Sequence, residues 1–162
     1  MDLSIYRIIG IQMKRLHIHL SVDDLEQNIK FYSTLFACPP SIQHADYAKW
    51  MLDDPRINFA ISARAAKTGL DHLGFQVDEE QELQEIKQRL DATQQPIETQ
   101  EATSCCYARS DKYWITDPQG IAWESFHTLS EIPTFNEAGE TDAENPFACR
   151  TADDSGSSCC GS

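Results

Sequence analysis

Leu16-His17-Ile18-His19-Leu20-Ser21-Val22-Asp23-Asp24 and Asp71-His72-Leu73-Gly74-Phe75-Gln76-Val77-Asp78-Glu79 are two versions of one pattern. Each reads histidine, four residues, then Val-Asp and a further acid. In the first, Leu16, Ile18, Leu20 and Val22 alternate with His17, His19 and Ser21; in the second, Leu73, Phe75 and Val77 alternate with His72, Gly74 and Gln76. A period of two puts the apolar side chains on one face of a strand and the histidine on the other. Each strand runs into a helix signal: acids first, then Leu25, Ile29, Tyr32 and Phe36 in one case and Leu83, Ile86 and Leu90 in the other. The apolar strand faces are expected to pack beneath those helices, with the histidines turned away from them.

Further strand-like runs follow each helix, over 47–52 and 57–63 in the first half and over 105–108, 112–116 and 121–126 in the second. Asp54-Pro55 and Asp117-Pro118 mark the turns before the last strand of each half. The reading is an α+β fold of paired βαβββ modules, about 14–66 and 69–128, forming a curved mixed sheet around a cleft. His17 and His72 point into that cleft, and Glu124, on the last strand of the second half, reaches it too.

The 162 residues make about one ordinary domain. With 26 Asp+Glu against 13 Lys+Arg the formal charge is -13, which argues against nucleic acid as a partner because a phosphate backbone needs a basic surface. No run approaches the ~20 apolar residues of a membrane span and residues 1–12 hold no small-residue cleavage site, so no membrane partner and a cytoplasmic location are expected. Residues 1–13 read as an extension, with Met13 a second candidate start directly before the first strand. From 129 to 162, seven acids face the single base Arg150, and so apolar-poor a segment reads as a disordered acidic tail.

Two neutral imidazoles and a carboxylate on one side of a metal leave coordination positions open, which is how non-heme Fe(II) enzymes bind dioxygen and substrate together; Mn(II), Zn(II) and Co(II) suit the same donors. His17 and His72 stand 55 residues apart (72 − 17) on equivalent strands, so their shared cleft follows from the repeat, whereas a lone histidine or glutamate would read as an ordinary surface residue. His19 shares the strand face of His17 and competes for its role, but aligning the halves on Val22 and Val77 matches His17 to His72. His44 and His127 have no expected partner.

Cys105-Cys106 and Cys159-Cys160 are adjacent pairs, and neighbours close a disulfide only through a small distorted ring, so no disulfide scaffold is expected. Cys105 and Cys106 read as a loop entering a strand, where two thiolates could chelate a soft centre such as trivalent arsenic or Cd(II); the alternative is a pair of small buried hydrophobes. Cys149, Cys159 and Cys160 lie in the tail, where Cys159 and Cys160 could collect the same soft ions, and Cys38 beside Pro39-Pro40 reads as structural. Tyr47, Tyr107, Lys112 and Tyr113 are placed along the cleft without assigned roles.

The repeat, with His17-Ile18-His19-Leu20-Ser21-Val22-Asp23-Asp24-Leu25-Glu26, Phe31-Tyr32-Ser33-Thr34-Leu35-Phe36 and His72-Leu73-Gly74-Phe75-Gln76-Val77, resembles the vicinal oxygen chelate superfamily of glyoxalases, extradiol dioxygenases and resistance proteins. Within it, Tyr47-Ala48, Asp71-His72-Leu73-Gly74, Cys105-Cys106-Tyr107-Ala108, Asp117-Pro118 and Trp123-Glu124 look like the carbon-arsenic lyases and the related cadmium-induced proteins, over about 14–128. The resemblance implies the paired βαβββ fold, Fe(II) held by the catalytic residues His17, His72 and Glu124, and a trivalent organoarsenical bound by Cys105 and Cys106. It further implies that dioxygen is used to break the carbon-arsenic bond of methylarsenite or trivalent aromatic arsenicals, releasing arsenite. Glyoxalase-type members take a fourth carboxylate from the last strand of the first half; here that strand reads Ile57-Asn58-Phe59-Ala60-Ile61-Ser62, with no acid, as in the dioxygenase branch. Two departures are His44, where a basic residue is expected before Tyr47, and the extension 1–13.

Two other functions fit the same residues. A cadmium/arsenite-binding resistance protein would sequester soft ions with these cysteines, without turnover. A dioxygenase or isomerase of the superfamily would act on an unrelated carbon substrate, with the cysteines incidental. Both a monomer and a homodimer are compatible with the sequence.

Overall fold

Two copies of a strand-helix-strands unit join edge to edge in the computed structural model, which describes residues 14–105 and 107–131. The first unit comprises β1 (Arg15–Ser21), α1 (Leu25–Phe36), β2 (Ile42–Gln43), β3 (Tyr47–Asp53) and β4 (Arg56–Ser62). The second comprises β5 (Gly69–Val77), α2 (Glu80–Asp91), β6 (Glu98–Cys105), β7 (Ala108–Thr116) and β8 (Ala122–Glu131). The strands form one sheet in the order β2-β3-β4-β1-β5-β8-β7-β6. β1 and β5 pair antiparallel at its centre, and each runs parallel to the last strand of its own unit, β4 or β8. The order is mirrored about the β1·β5 pair, so His17 and His72 arrive on neighbouring strands.

Local sequence accounts for the helices. The Asp24 carboxylate caps α1 by accepting from the Gln27 N–H at 2.9 Å, and the helix ends where Ala37 turns left-handed. Leu25, Ile29, Tyr32 and Phe36 then pack with Ile18 and Leu20 of β1 against Trp50, Phe59 and Ile61. α2 opens on a capping box between Glu79 and Glu82, and its Leu83 and Ile86 cover Val77 and Tyr113. Ile61 beneath α1 and Leu83 of α2 are fully buried, each contributing about 1.5–3 kcal/mol, while the α1 side chains over the first cluster are partly buried. The opposite face is polar and yet also buried: His17, His19, His72 and Glu124 all lie on it, enclosed by the walls of the cleft.

Three expectations change. Residues 105–108 are not a strand: β6 ends at Cys105, β7 begins at Ala108, and Tyr107 lies in the turn between them with φ 62°. The sequence predicts no strand over 98–104, because Glu98-Thr99-Gln100-Glu101 offers no apolar face; backbone pairing with β7 makes one there. β8 runs on to Glu131, so Leu129, Ser130 and Glu131 belong to the sheet rather than to the tail. Residues 1–13, the tail beyond 131 with Cys149, Cys159 and Cys160, and Cys106 lie outside the described residues.

Gly74 lies where β5 and β8 leave no room for a side chain. A Cβ there would stand 1.9 Å from the backbone oxygen of Glu124, its partner across the β5·β8 pair, and backbone cannot rotate out of the way. Gly74→Ala is expected to cost about 3 kcal/mol or more in denaturant unfolding and to push the Glu124 backbone away from β5. An unfolding midpoint equal to that of the parent protein would contradict this.

Candidate metal centre

His17, His72 and Glu124 converge from β1, β5 and β8. The Nε2 atoms of the two imidazoles are 3.1 Å apart, and Glu124 Oε2 lies 3.6 Å from that of His17 and 3.3 Å from that of His72. Donors bound to one ion at ~2.1 Å stand ~3.0 Å apart when cis in an octahedron and ~3.4 Å apart in a tetrahedron. The three atoms therefore fit around a single divalent cation.

Hydrogen bonds behind each ring set its tautomer. His17 Nδ1 is 3.1 Å from the Asn58 carbonyl oxygen, which can only accept, so Nδ1 carries the proton and Nε2 faces the cleft with a lone pair. Burial, reinforced by repulsion from His72, lowers the His17 pKa to about 4, which keeps the ring neutral near pH 7. His72 Nδ1 donates to Asp71 Oδ1 at 2.6 Å. Burial alone would raise the Asp71 pKa, but that hydrogen bond brings it below the usual carboxylate range. For His72 itself burial favours the neutral ring, but the carboxylates of Asp71 and Glu124 outweigh burial and raise its pKa. A proton on His72 Nε2 then sits beside two acceptors, His17 Nε2 and Glu124 Oε2, in the place a cation would take on displacing it.

Glu124 is fixed from its other side. Lys112 Nζ donates to Oε1 at 2.7 Å, with both side chains about 5% exposed, which leaves Oε2 for the cleft. Burial opposes the charge on Glu124, but Lys112 and then the two histidines hold its pKa well below the ordinary carboxylate value. His19 is buried beside them, its Nε2 2.9 Å from Ser62 Oγ and its ring centroid 4.8 Å from that of His72. Burial and then repulsion from His72 lower its pKa as well.

The cleft is walled by Tyr47, Lys49, Ala108, Phe126 and Thr128 around the histidines. Phe126 meets His17 edge-on at 5.2 Å and Trp114 meets His72 at 5.0 Å. Tyr47 and Lys112 thus lie where the sequence places them, but Tyr113 lies on the opposite face, bonded through its hydroxyl to Gln84 under α2. Alternation along β7 carries that signal, since Ser110 and Lys112 face the cleft and the odd position between Lys112 and Trp114 cannot. Cys105 ends β6 opposite Ala108, a cleft residue, so the turn after it borders the cleft; the Cys105 side chain, like Cys106, is outside what the structure describes.

Tyr107 ties that turn to the first unit. Its hydroxyl donates to Asp46 Oδ1 at 2.6 Å, its ring stacks on His44 with centroids 3.5 Å apart, and Asp46 also pairs with Arg64. A left-handed tyrosine costs roughly 1–3 kcal/mol, which these contacts offset. His44 therefore has a partner that the sequence did not reveal: a neighbour from the other unit.

Residues 14–125 match the sequence profile of the Glyoxalase/Bleomycin resistance protein/Dioxygenase superfamily. The chain is 40% identical over 123 residues to the trivalent organoarsenical cleaving enzyme of Bacillus sp. (strain MD1), covering 74% of this chain and 76% of that protein. It is 33% identical over 149 residues to the cadmium-induced protein CadI of Mycobacterium bovis, covering 91% of this chain and 93% of that one. Among solved structures, the 2,3-dioxygenase LapB from Pseudomonas sp. KL28 superposes with a TM-score of 0.57 at 19% identity, over 73% of this chain and 42% of that chain, which shows a shared fold. With the vicinal oxygen chelate fold and a profile match over most of its length, this chain belongs to the glyoxalase/bleomycin resistance protein/dioxygenase superfamily.

Proposed function

We propose that this chain is a metal-dependent enzyme that uses dioxygen to cleave the carbon-arsenic bond of trivalent organoarsenicals, with Fe(II) as its ion and arsenite as a product. The observation that carries the reading is the convergence of His17 Nε2, His72 Nε2 and Glu124 Oε2 to within 3.6 Å of one another, beside the turn that follows Cys105. The relative named as an organoarsenical cleaving enzyme supports the substrate class. Fe(II) bound by these donors would supply the chemistry of dioxygen activation.

The protein's own groups prepare the site. Asn58 and Asp71 orient the two imidazoles, and Lys112 confines Glu124 to one free oxygen. Cys105 and Cys106 are assigned to the arsenic, which thiolate ligands suit, and Tyr107, next in the chain, is anchored to Asp46 of the first unit. Phe126 and Tyr47 line the cleft with ring carbon, limiting water beside the reacting bond. Two thiolates that held the arsenical beside the site would make its reaction effectively unimolecular.

The test is anaerobic reconstitution with Fe(II), then methylarsenite and air, with arsenic speciation by chromatography and elemental detection. Arsenite that appears only with both iron and oxygen is the expected result. Methylarsenite bound but unchanged would favour the second reading, passive sequestration of soft ions, which the cadmium-induced relative supports.

A further inference from the structure

The pairing of strands offers one more donor to the ion. In the second unit Gly74 of β5 pairs with Glu124 of β8, two residues after His72. In the first unit the corresponding pair, two residues after His17, is His19 of β1 with Ala60 of β4. Each pair couples one small residue with one side chain able to bind a metal, but the two are exchanged: glycine with glutamate across β5·β8, histidine with alanine across β1·β4.

His19 has the other attributes of a donor. It is 5% exposed and borders the cleft. One nitrogen from each of His17, His19 and His72 lies within 4.8 Å of the other two, slightly beyond the ~4.2 Å that separates donors on opposite sides of an ion with ~2.1 Å bonds. A small swing of one ring closes that gap. Each of the three imidazoles also has one nitrogen held by a protein oxygen: His17 by the Asn58 carbonyl, His72 by Asp71, and His19 by Ser62. An oxygen partner behind the ring is the usual support of a metal-bound histidine. With Nε2 held by Ser62, Nδ1 of His19 has no hydrogen-bond partner among the described residues.

We propose that His19 is a fourth protein ligand, so that each unit contributes two donors: His17 and His19 from β1, His72 from β5 and Glu124 from β8. The inference rests on the metal centre proposed above and deepens it, since a four-donor centre leaves one fewer open position than a three-donor one. An arsenical captured by Cys105 and Cys106 needs fewer positions on the ion than a substrate held by the ion alone.

The test uses the full chain, labelled with ¹⁵N-histidine and loaded with one equivalent of Mn(II), an ion suited to oxygen and nitrogen donors rather than to thiolates. Pulsed electron-nuclear double resonance counts the imidazoles bound to the manganese. Three coupled imidazoles in the parent protein and two in H19A, with Mn(II) affinity reduced at least about tenfold, are expected. The count in the parent protein decides the matter even if H19A folds poorly. Two imidazoles in the parent protein, falling to one in H17A and unchanged in H19F, would overturn the role of His19 while leaving the three-residue centre intact. No histidine coupling at all would overturn both.

Discussion

Glu124→Gln should release the divalent ion on dialysis against a chelator and lower turnover by more than the ~10–100-fold that loss of an outer-shell partner costs. Glutamine keeps the shape of the side chain and one oxygen for Lys112, so the protein should remain folded while it loses the anionic donor. Glu124→Ala is expected to do further damage, because it leaves the buried Lys112 ammonium with no carboxylate at 2.7 Å. Breaking a buried pair in that way costs about 3–5 kcal/mol, so E124A should unfold at markedly lower denaturant than E124Q. Metal analysis by mass spectrometry and paired unfolding curves separate the two effects. An E124Q protein that keeps one equivalent of ion and its activity would remove Glu124 from the centre.

Serine at Cys105 or Cys106 should have the opposite signature, with the ion retained and the reaction gone. A hydroxyl matches a thiol in size but does not ionise near neutral pH and is a poor ligand for trivalent arsenic. An arsenical that drifts about 1 Å from its reacting position loses on the order of 10²-fold in rate, and one no longer chelated should lose more than that. Single-turnover assays on C105S and C106S, with bound iron measured in parallel, test this directly. Turnover close to that of the parent protein would make the cysteines incidental and direct the search toward a carbon substrate.

Much of the fold is legible in the sequence because its pattern is written twice. Alternation over 16–22 and 71–77 marks both central strands, and the offset between His17 and His72 places both histidines on the polar face before any coordinates. Caps such as Asp24 and turns such as Asp117-Pro118 are local in origin, so short stretches suffice to read them. What stayed hidden depends on partners distant in the chain. β6 has no apolar face to mark it and becomes a strand because β7 pairs with it. Lys112 can be placed along the cleft from the sequence, but its role is not legible until the fold buries it against Glu124. The stacking of Tyr107 on His44 joins residues 63 positions apart (107 − 44), one from each unit, and neither stretch signals the other.

The mirrored strand order has a consequence for how such a site can change over time. If two identical single-unit chains met across the same antiparallel edge, symmetry would force every substitution to occur on both sides, so a residue useful in one position would be imposed on the other. Joining the units in one chain lifts that constraint. Glycine can then face glutamate on one side while histidine faces alanine on the other, and the pocket becomes left- and right-handed in chemistry while its scaffold remains nearly twofold. A pocket that has lost its symmetry offers two chemically different walls to whatever enters it.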